Sequence, residues 1–243
     1  MDDNIKKFKE LYFFIDFDGT ITKLDIGDDL FKKFGEFEPY HTDLIEGRLK
    51  INDYWHSLCR TLKPEVDEET IKQYAMECEV DPYFVSFANY CRSENINISV
   101  ISDGFDSYIS PVLEREKLEW LPVYSNKMIF KKGHNPVPYF PNASESCNCL
   151  CASCKRNVVL NATPEDAVIA FVGDGYSDFC VAEHSDIIFA KNALAAYCNE
   201  HKLPHYPFST FFDVLRITKS VLPKKLKIRN QAGLLRKKAY EIE

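Results

Sequence analysis

The sequence predicts an α/β fold: a doubly wound parallel sheet with a small helical cap inserted after the first strand. Three observations predict it. Apolar runs at Leu11–Asp16, Ile96–Ile101, Ala167–Val172 and Ile187–Ala190 have the length and composition of strands buried in a sheet. Helical patterns separate these runs, and such alternation marks a parallel sheet. The first three runs end in polar stations: Asp16-Phe17-Asp18-Gly19-Thr20, Ser102-Asp103-Gly104, and Gly173-Asp174-Gly175-Tyr176-Ser177-Asp178. Open α/β sheets bind ligands at the carboxyl ends of their strands, and right-handed crossovers bring those ends to one edge.

Each element has its own signal. Residues 1–10 are a polar lead-in, followed by the first strand. Leu30, Phe31 and Phe34 then fit a helix closing near Gly35, and Leu44, Ile45 and Leu49 suggest a second. Asn52 is placed to cap a third, carrying Tyr54, Trp55, Leu58 and Leu62, and Asp67 to cap a fourth that ends before Asp81-Pro82. Residues 22–80 therefore read as a helical insertion over the strand ends, where a lid sits, with residues 1–21 and 81–243 as the core. Pro82 opens a helix with Phe84, Phe87 and Cys91 inward. After the second strand comes a helix over Phe105–Lys117, which Pro111 either delays or bends. Leu121–Tyr124 and Lys127–Phe130 suggest short strands about a Ser125-Asn126 turn. Lys131–Cys151, with Gly133, Pro136, Pro138 and Pro141, is the least regular stretch. Helices are expected from Lys155, over Ser177–Glu183, Asn192–Glu200 and Thr210–Val221, and in a basic amphipathic tail, Lys224–Glu243, whose charged face should lie in water.

Composition narrows the function. A net charge of −7 argues against nucleic acid as the main partner, but not against a small anion, since a metal and a lysine can reverse the sign inside a cleft. No apolar stretch approaches the ~20 residues of a membrane span, and MDDNIKKFKE lacks a signal-peptide core. A cytoplasmic chain with its nine cysteines as thiols is expected. Oligomeric state is not legible.

DFDGT at 16–20, Ser102-Asp103-Gly104, Lys155 and GDGYSD at 173–178 resemble, in order and strand context, the four motifs of the haloacid dehalogenase superfamily of phosphatases. The resemblance covers about residues 11–190. The helical insertion resembles the cap of the phosphoserine phosphatase-like branch. The cysteine-rich approach to Lys155 is similar to that of the methionine-salvage enol-phosphate phosphatases and the phosphocholine/phosphoethanolamine phosphatases near them. The resemblance implies a phosphatase on a small phosphorylated metabolite. Asp16 is the expected nucleophile, because a carboxylate can divide phosphomonoester hydrolysis through an aspartyl-phosphate. Asp18, two positions on, is the expected general acid and then base. The repulsion between carboxylate and phosphate calls for Mg²⁺. The resemblance assigns that ion to Asp16, Asp18 (through its backbone carbonyl) and Asp174, with Asp178 nearby. Ser102, Asp103 and the Gly104 amide would bind phosphate. Lys155 would balance charge and orient Asp16, and Thr20 would support the first turn. Taken singly, Ser102 reads as a helix cap, Lys155 as a solvated lysine, and Asp174 and Asp178 as turn acids; their coincidence carries the assignment. A phosphotransferase or pyrophosphatase on the same site is the alternative, and a non-catalytic metal or thiol module the more distant one.

Three further signals are open. Asp25 lies where the phosphoserine phosphatase branch meets a substrate ammonium, although Asp28 and Asp29 compete with it and a solvated helix start is the plainer reading. Arg48 is able to clamp a substrate carboxylate, against the plainer reading of a surface arginine. Cys147, Cys149, Cys151 and Cys154 place four thiols within eight residues. Zn²⁺ favours such ligands, yet one short run strains a tetrahedron, so the spacing favours free thiols over a structural zinc. His134 and His184 are possible substitute ligands.

Overall fold

The computed structural model describes residues 10–144, 146–147, 149–221 and 226–241. Residues 1–9 of the lead-in and both ends of the basic tail fall outside the described residues. Seven strands form one sheet: β1 (Leu11–Ile15), β2 (Asn97–Phe105), β3 (Val123–Lys131), β4 (His134–Tyr139), β5 (Val168–Gly173), β6 (Ile187–Ala190) and β7 (Tyr206–Pro207). Their spatial order is β4-β3-β2-β1-β5-β6-β7, with only β4 antiparallel to its neighbour. Helices cover both faces. Because strand side chains alternate, Phe13 and Ile15 join one core with Val168, Ala170 and Val172, while Phe14 joins a second with Ile169 and Phe171. This is the two-sided burial implied by an unbroken apolar run.

The register creates the site. Ile15 lies opposite Val100 on one side and Val172 on the other. The residues that follow each strand therefore emerge together, and the Asp16 amide donates to the Val172 carbonyl at 2.9 Å. Residues 17–21 then turn tightly, with Gly19 at φ +68°. A Cβ there would sit 2.8 Å from Asp174 Oδ2, so this turn needs glycine for both conformation and space.

The inserted segment holds α1 (Ile26–Phe34), α2 (Tyr40–Ile45), α3 (Ile51–Thr61) and α4 (Glu68–Glu77). Its two stems meet at an antiparallel bridge between Thr22 and Val80. Asp67 caps α4 by accepting from the Thr70 amide. Asn52, in contrast, lies inside α3, which begins one residue earlier without a side-chain cap. The segment packs against the core through α4 on α6 (Asp106–Arg115) and α3 on β4. Arg115 donates to the Met76 carbonyl at 2.6 Å.

Other expectations needed correction. Pro111 does not delay α6, which starts at Asp106 and runs through the buried proline. Ser125-Asn126 is no turn: β3 is one strand passing through both, because Asn126 is buried and donates to the Asp103 carbonyl at 2.6 Å. The irregular stretch after it contains β4, whose Pro136 and Pro138 are tolerated because β4 is an edge strand.

The remaining helices are α5 (Phe84–Ser93), α7 (Lys155–Ala162), α8 (Phe179–Glu183, preceded by a 3₁₀ turn at Tyr176–Asp178), α9 (Asn192–Glu200), α10 (Phe211–Val221) and α11 (Asn230–Tyr240). The face of α11 is not the one its apolar residues suggest. Leu234 is 63% exposed, whereas Arg236 is buried and reaches the His184 carbonyl at 2.7 Å and Asp186 at 3.1 Å. Among the described residues, no helix is long and apolar enough to cross a membrane.

Candidate active site

Asp16, Asp18, Ser102, Asp103, Gly104 and Asp174 all line one cleft of about 520 Å³ at the carboxyl edge of the sheet. Its opposite wall comes from the inserted helices, including Asp25, His41, Leu44, Ile45, Tyr54 and Trp55.

At the base is an ionic cluster. Lys155, the first residue of α7, is 1% exposed. Its ammonium donates to Asp16 Oδ1 at 2.6 Å, Asp178 Oδ1 at 2.5 Å and Ser177 Oγ at 3.0 Å. These two carboxylates hold the ammonium above its ordinary pKa, against a burial effect that would lower it. Asp178 also accepts the amides of Asp174 and Gly175 at 2.8 and 2.9 Å, which fixes the loop after β5. Carboxylate oxygens of Asp16, Asp174 and Asp178 lie within 4.8 Å of one another. Thr20 Oγ1 and Asn192 Nδ2 bind the two oxygens of Asp174 at 2.9 and 3.0 Å. Three carboxylates meet one ammonium, and two negative charges remain unbalanced. Burial and this crowding push the Asp16 carboxyl well upward, burial first and then Asp178, with Lys155 opposing. Burial raises Asp178 as well. Such an oxygen-rich, charge-deficient group fits a hard divalent cation.

Asp18 differs. Burial pushes its pKa up to about 6, opposed chiefly by a hydrogen bond from Tyr108. The Tyr108 hydroxyl donates to Asp18 Oδ2 at 2.9 Å, and the Ile26 amide to Oδ1 at 3.0 Å. Ser102 Oγ lies 3.4 Å from Asp18 Oδ2 and accepts the Gly104 amide at 2.9 Å. A bulge produces this display. Between Ile101 and Phe105 β2 advances four residues, while β3 advances two, from Tyr124 to Asn126. Bulges re-aim side chains beside active sites in this way. A side chain at Gly104 would overlap the Tyr108 hydroxyl, so glycine here makes room for the tyrosine.

Asp103 lines the cleft, but its carboxylate is already engaged. It accepts from the Ser153 amide at 2.7 Å, from the Trp55 indole at 3.2 Å and from Asn126 at 3.3 Å. Burial, then the neighbouring Cys151, raises it to about 7. Asp103 thus ties α3 to the loop before Lys155, and its side chain is taken up by that tie rather than turned to a ligand. Asp25 keeps exposed surface at the cleft, yet its carboxyl is crowded enough that desolvation, then Asp18 and Asp28, holds it well above the carboxylate range. It also caps α1 by accepting the Asp28 amide at 2.8 Å. Arg48 is a correction: it is exposed, pairs with Asp43 at 2.7 Å and with Glu46, and does not line the cleft. Acids on its own loop hold the guanidinium away from any substrate.

Several contributors carried no readable sequence signal as functional residues: Tyr108, Trp55, Asn192 and Ser177. Tyr108 lies in the first turn of α6, directly after β2, and its local pattern reads only as an ordinary core aromatic. Replacing Tyr108 by Phe tests its part. The lost donor favoured the Asp18 carboxylate, so the Asp18 pKa must rise. We expect kcat to fall about tenfold, less than the roughly 10²–10⁴-fold of a whole general-acid contribution because Asp18 itself remains, and the alkaline limb of the pH profile of kcat/KM to move upward. An unmoved limb would exclude Tyr108 from tuning Asp18.

The haloacid dehalogenase-like hydrolase profile matches residues 13–183. The chain is 31% identical to the 2-hydroxy-3-keto-5-methylthiopentenyl-1-phosphate phosphatase of Brevibacillus brevis, over 88% of this chain and 97% of that protein. The chain belongs to the haloacid dehalogenase-like hydrolase family. The phosphatase of the same name from Bacillus pumilus is 30% identical, over 82% of this chain and 87% of that one. With such relatives the chain is a phosphomonoester hydrolase. In fold it resembles a phospho-aspartyl intermediate analogue of phosphoserine phosphatase, with TM-score 0.65, 18% identity, and coverage of 88% of this chain and 100% of that one. It also resembles a probable phosphoserine phosphatase from Vibrio cholerae, with TM-score 0.67, 18% identity, and coverage of 91% and 68%.

Proposed function

We propose that this chain hydrolyses a small phosphomonoester through an aspartyl-phosphate on Asp16, with residues 22–80 as a cap that excludes water. The observation that carries this reading is the pair of carboxyls two residues apart on one turn with different partners, an ammonium on Asp16 and a tyrosine hydroxyl on Asp18. Asp16 is held by an ammonium at 2.6 Å, which orients an oxygen for attack and opposes the burial that raises its carboxyl. Burial raises the Asp18 carboxyl to about 6, so near neutrality it holds a proton far more often than an ordinary carboxyl does, as an acid for the leaving oxygen requires. After the alcohol departs, the Asp18 carboxylate is the base for water attacking the phosphoenzyme. Ser102 Oγ and the amide of Gly104, which without substrate face Asp18 and Ser102, would turn to donate to the phosphoryl oxygens. Lys155 offsets charge on Asp16.

Mg²⁺ fits the unbalanced acids Asp16, Asp174 and Asp178, with the Asp18 carbonyl as a further donor. When bound it would screen carboxylate from phosphate and hold the phosphoryl oxygens. Chelation is expected to abolish turnover of an aryl phosphate, with recovery on adding Mg²⁺. Undiminished turnover in excess chelator would remove the ion from the mechanism.

For the substrate, the curated relatives supply a direction: a phosphate ester with a methylthio-bearing carbon chain. The cleft suits it. Leu24, Ile45, Leu150 and Tyr176 line it and are 67%, 48%, 40% and 56% exposed, an apolar stretch of wall open to a ligand. Asp25 favours a second reading, a substrate with an ammonium group, because its carboxyl faces the same space. A panel separates them. The first reading expects a higher kcat/KM for the enol-phosphate than for phosphoserine, phosphocholine or phosphoethanolamine, and the reverse order would favour the second. Release of inorganic phosphate without transfer to added alcohol, and no turnover of pyrophosphate, would exclude the phosphotransferase and pyrophosphatase alternatives.

A further inference from the structure

The cysteine run before Lys155 does not stand alone. Cys180, on α8, brings a fifth thiol to it from a different segment, 3.7 Å from Cys147. Cys147 and Cys149 sulfurs are 2.8 Å apart, and Cys149 and Cys151 sulfurs 3.0 Å. All are free thiols. Two sets of three sulfurs, Cys147/Cys149/Cys180 and Cys149/Cys151/Cys154, each lie within 4.8 Å of one another and share Cys149.

We propose that Cys180 and three thiols of the run bind one zinc-class ion, making this loop a structural metal site next to the phosphatase cleft. Zn–S bonds of about 2.3 Å in a tetrahedron separate the sulfurs by about 3.8 Å. The Cys147–Cys180 separation already matches that edge. The two shorter separations need to open by about 1 Å or less. Both remain well beyond a disulfide bond of about 2.05 Å. The sequence argument against zinc was that a single short run strains the tetrahedron. Cys180 removes it, because the ligands need not all come from the run. Cys151 and Cys154 are buried while Cys147, Cys149 and Cys180 are half-buried, so the site has a closed inner side and an open one for entry. Binding replaces each ligating S–H by a Zn–S bond and passes the proton to solvent, with no change of oxidation state.

The consequence reaches the cleft through the chain. Cys154 directly precedes Lys155, the Ser153 amide holds Asp103, and Leu150 lines the cleft. An ion on the thiols would pin all three.

The test is metal analysis of protein purified under reducing conditions without added metal. The expected result is about one equivalent of zinc per chain, resistant to dialysis and released to a chromogenic chelator by a thiol-specific mercurial. Zinc-free protein refilled with Co²⁺ should show thiolate-to-cobalt charge-transfer bands. Cys180→Ser should lower zinc retention at least tenfold, while Cys78→Ser, at the end of α4, should leave it unchanged. If Cys180→Ser does not fold, the cobalt spectrum of the natural chain still decides the matter. Absence of zinc together with no cobalt bands, or iron with sulfide in place of zinc, would overturn the proposal. So would disulfides among these cysteines in the protein as purified, or full zinc retention in a folded Cys180→Ser variant. None of these readouts depends on phosphatase activity.

Discussion

Asp16→Asn is expected to lower kcat on an aryl phosphate by on the order of 10⁴-fold or more, the scale seen when an attacking group is deleted. The amide keeps the shape of the carboxylate but cannot donate an electron pair to phosphorus. The remaining donors, Ser102, the Gly104 amide and Lys155, would still hold phosphate, so KM should change far less than kcat. The fold should survive. Asp16 is 5% exposed and its carboxyl is pushed upward by burial and by Asp178, so a neutral isostere relieves a penalty even as it loses one partner of Lys155. Thermal melting at or near the natural value, combined with lost turnover and no phosphate trapped on the protein by rapid quench, is the expected pattern. Turnover at the natural rate would refute Asp16 as nucleophile. Asp18→Asn should behave differently. Good leaving groups need no proton, so phosphoenzyme should still form from them and then persist, because the base for its hydrolysis is gone. Equal losses on good and poor leaving groups would count against Asp18 as the acid.

The sequence revealed the catalytic edge more fully than its surroundings, and the reason is physical. Asp16, Ser102 and Asp174 follow apolar strands, and parallel pairing with Ile15 opposite Val100 and Val172 leaves those residues nowhere to go but one rim. Local pattern and global topology agree there. Tyr108 and Trp55 are different. Each reads as an ordinary core aromatic until the tertiary fold puts the hydroxyl on Asp18 and the indole on Asp103. Asn126 was misread for a related reason: Ser-Asn is good turn chemistry locally, and only the buried bond to the Asp103 carbonyl keeps it in a strand. Arg48 shows the converse failure. Its charge suggested a substrate clamp, yet Asp43 and Glu46 are close enough in sequence to claim it first. Cys180 was hidden because the contact joining it to Cys147 spans 33 residues of chain. Side chains set by strand ends could be placed from sequence, whereas those set by helix packing could not.

Lys155 is where catalysis and stability share one atom, and its removal should damage both. In Lys155→Met the apolar stem still packs, but Asp16 and Asp178 lose their common partner inside the protein. Breaking a buried ion pair by deleting one member costs about 3–5 kcal/mol, because the other charge stays buried without compensation. At about 2–4 °C per kcal/mol for a chain of this size, the melting temperature should fall by roughly 6–20 °C, measured with a chelator present so that a divalent ion does not offset the loss. The sign with pH follows from the carboxyls. Without the ammonium their folded-state pKa values rise further above the unfolded value of about 3.9, so the folded variant binds protons that the unfolded chain has released. Stability then declines as pH rises through that window, and the gap between variant and natural protein should narrow from pH 8 towards pH 5. Turnover should fall about 10²–10³-fold, the scale for one charge-stabilising donor, since Asp16 loses the group that orients it. Lys155→Arg should restore part of the stability and little of the rate, because a planar fork cannot replace a compact ammonium that fits between Asp16, Ser177 and Asp178 at 2.5–3.0 Å. A stable, inactive Lys155→Met would assign the residue to chemistry alone, and an active, unstable one would make it a structural pin of α7.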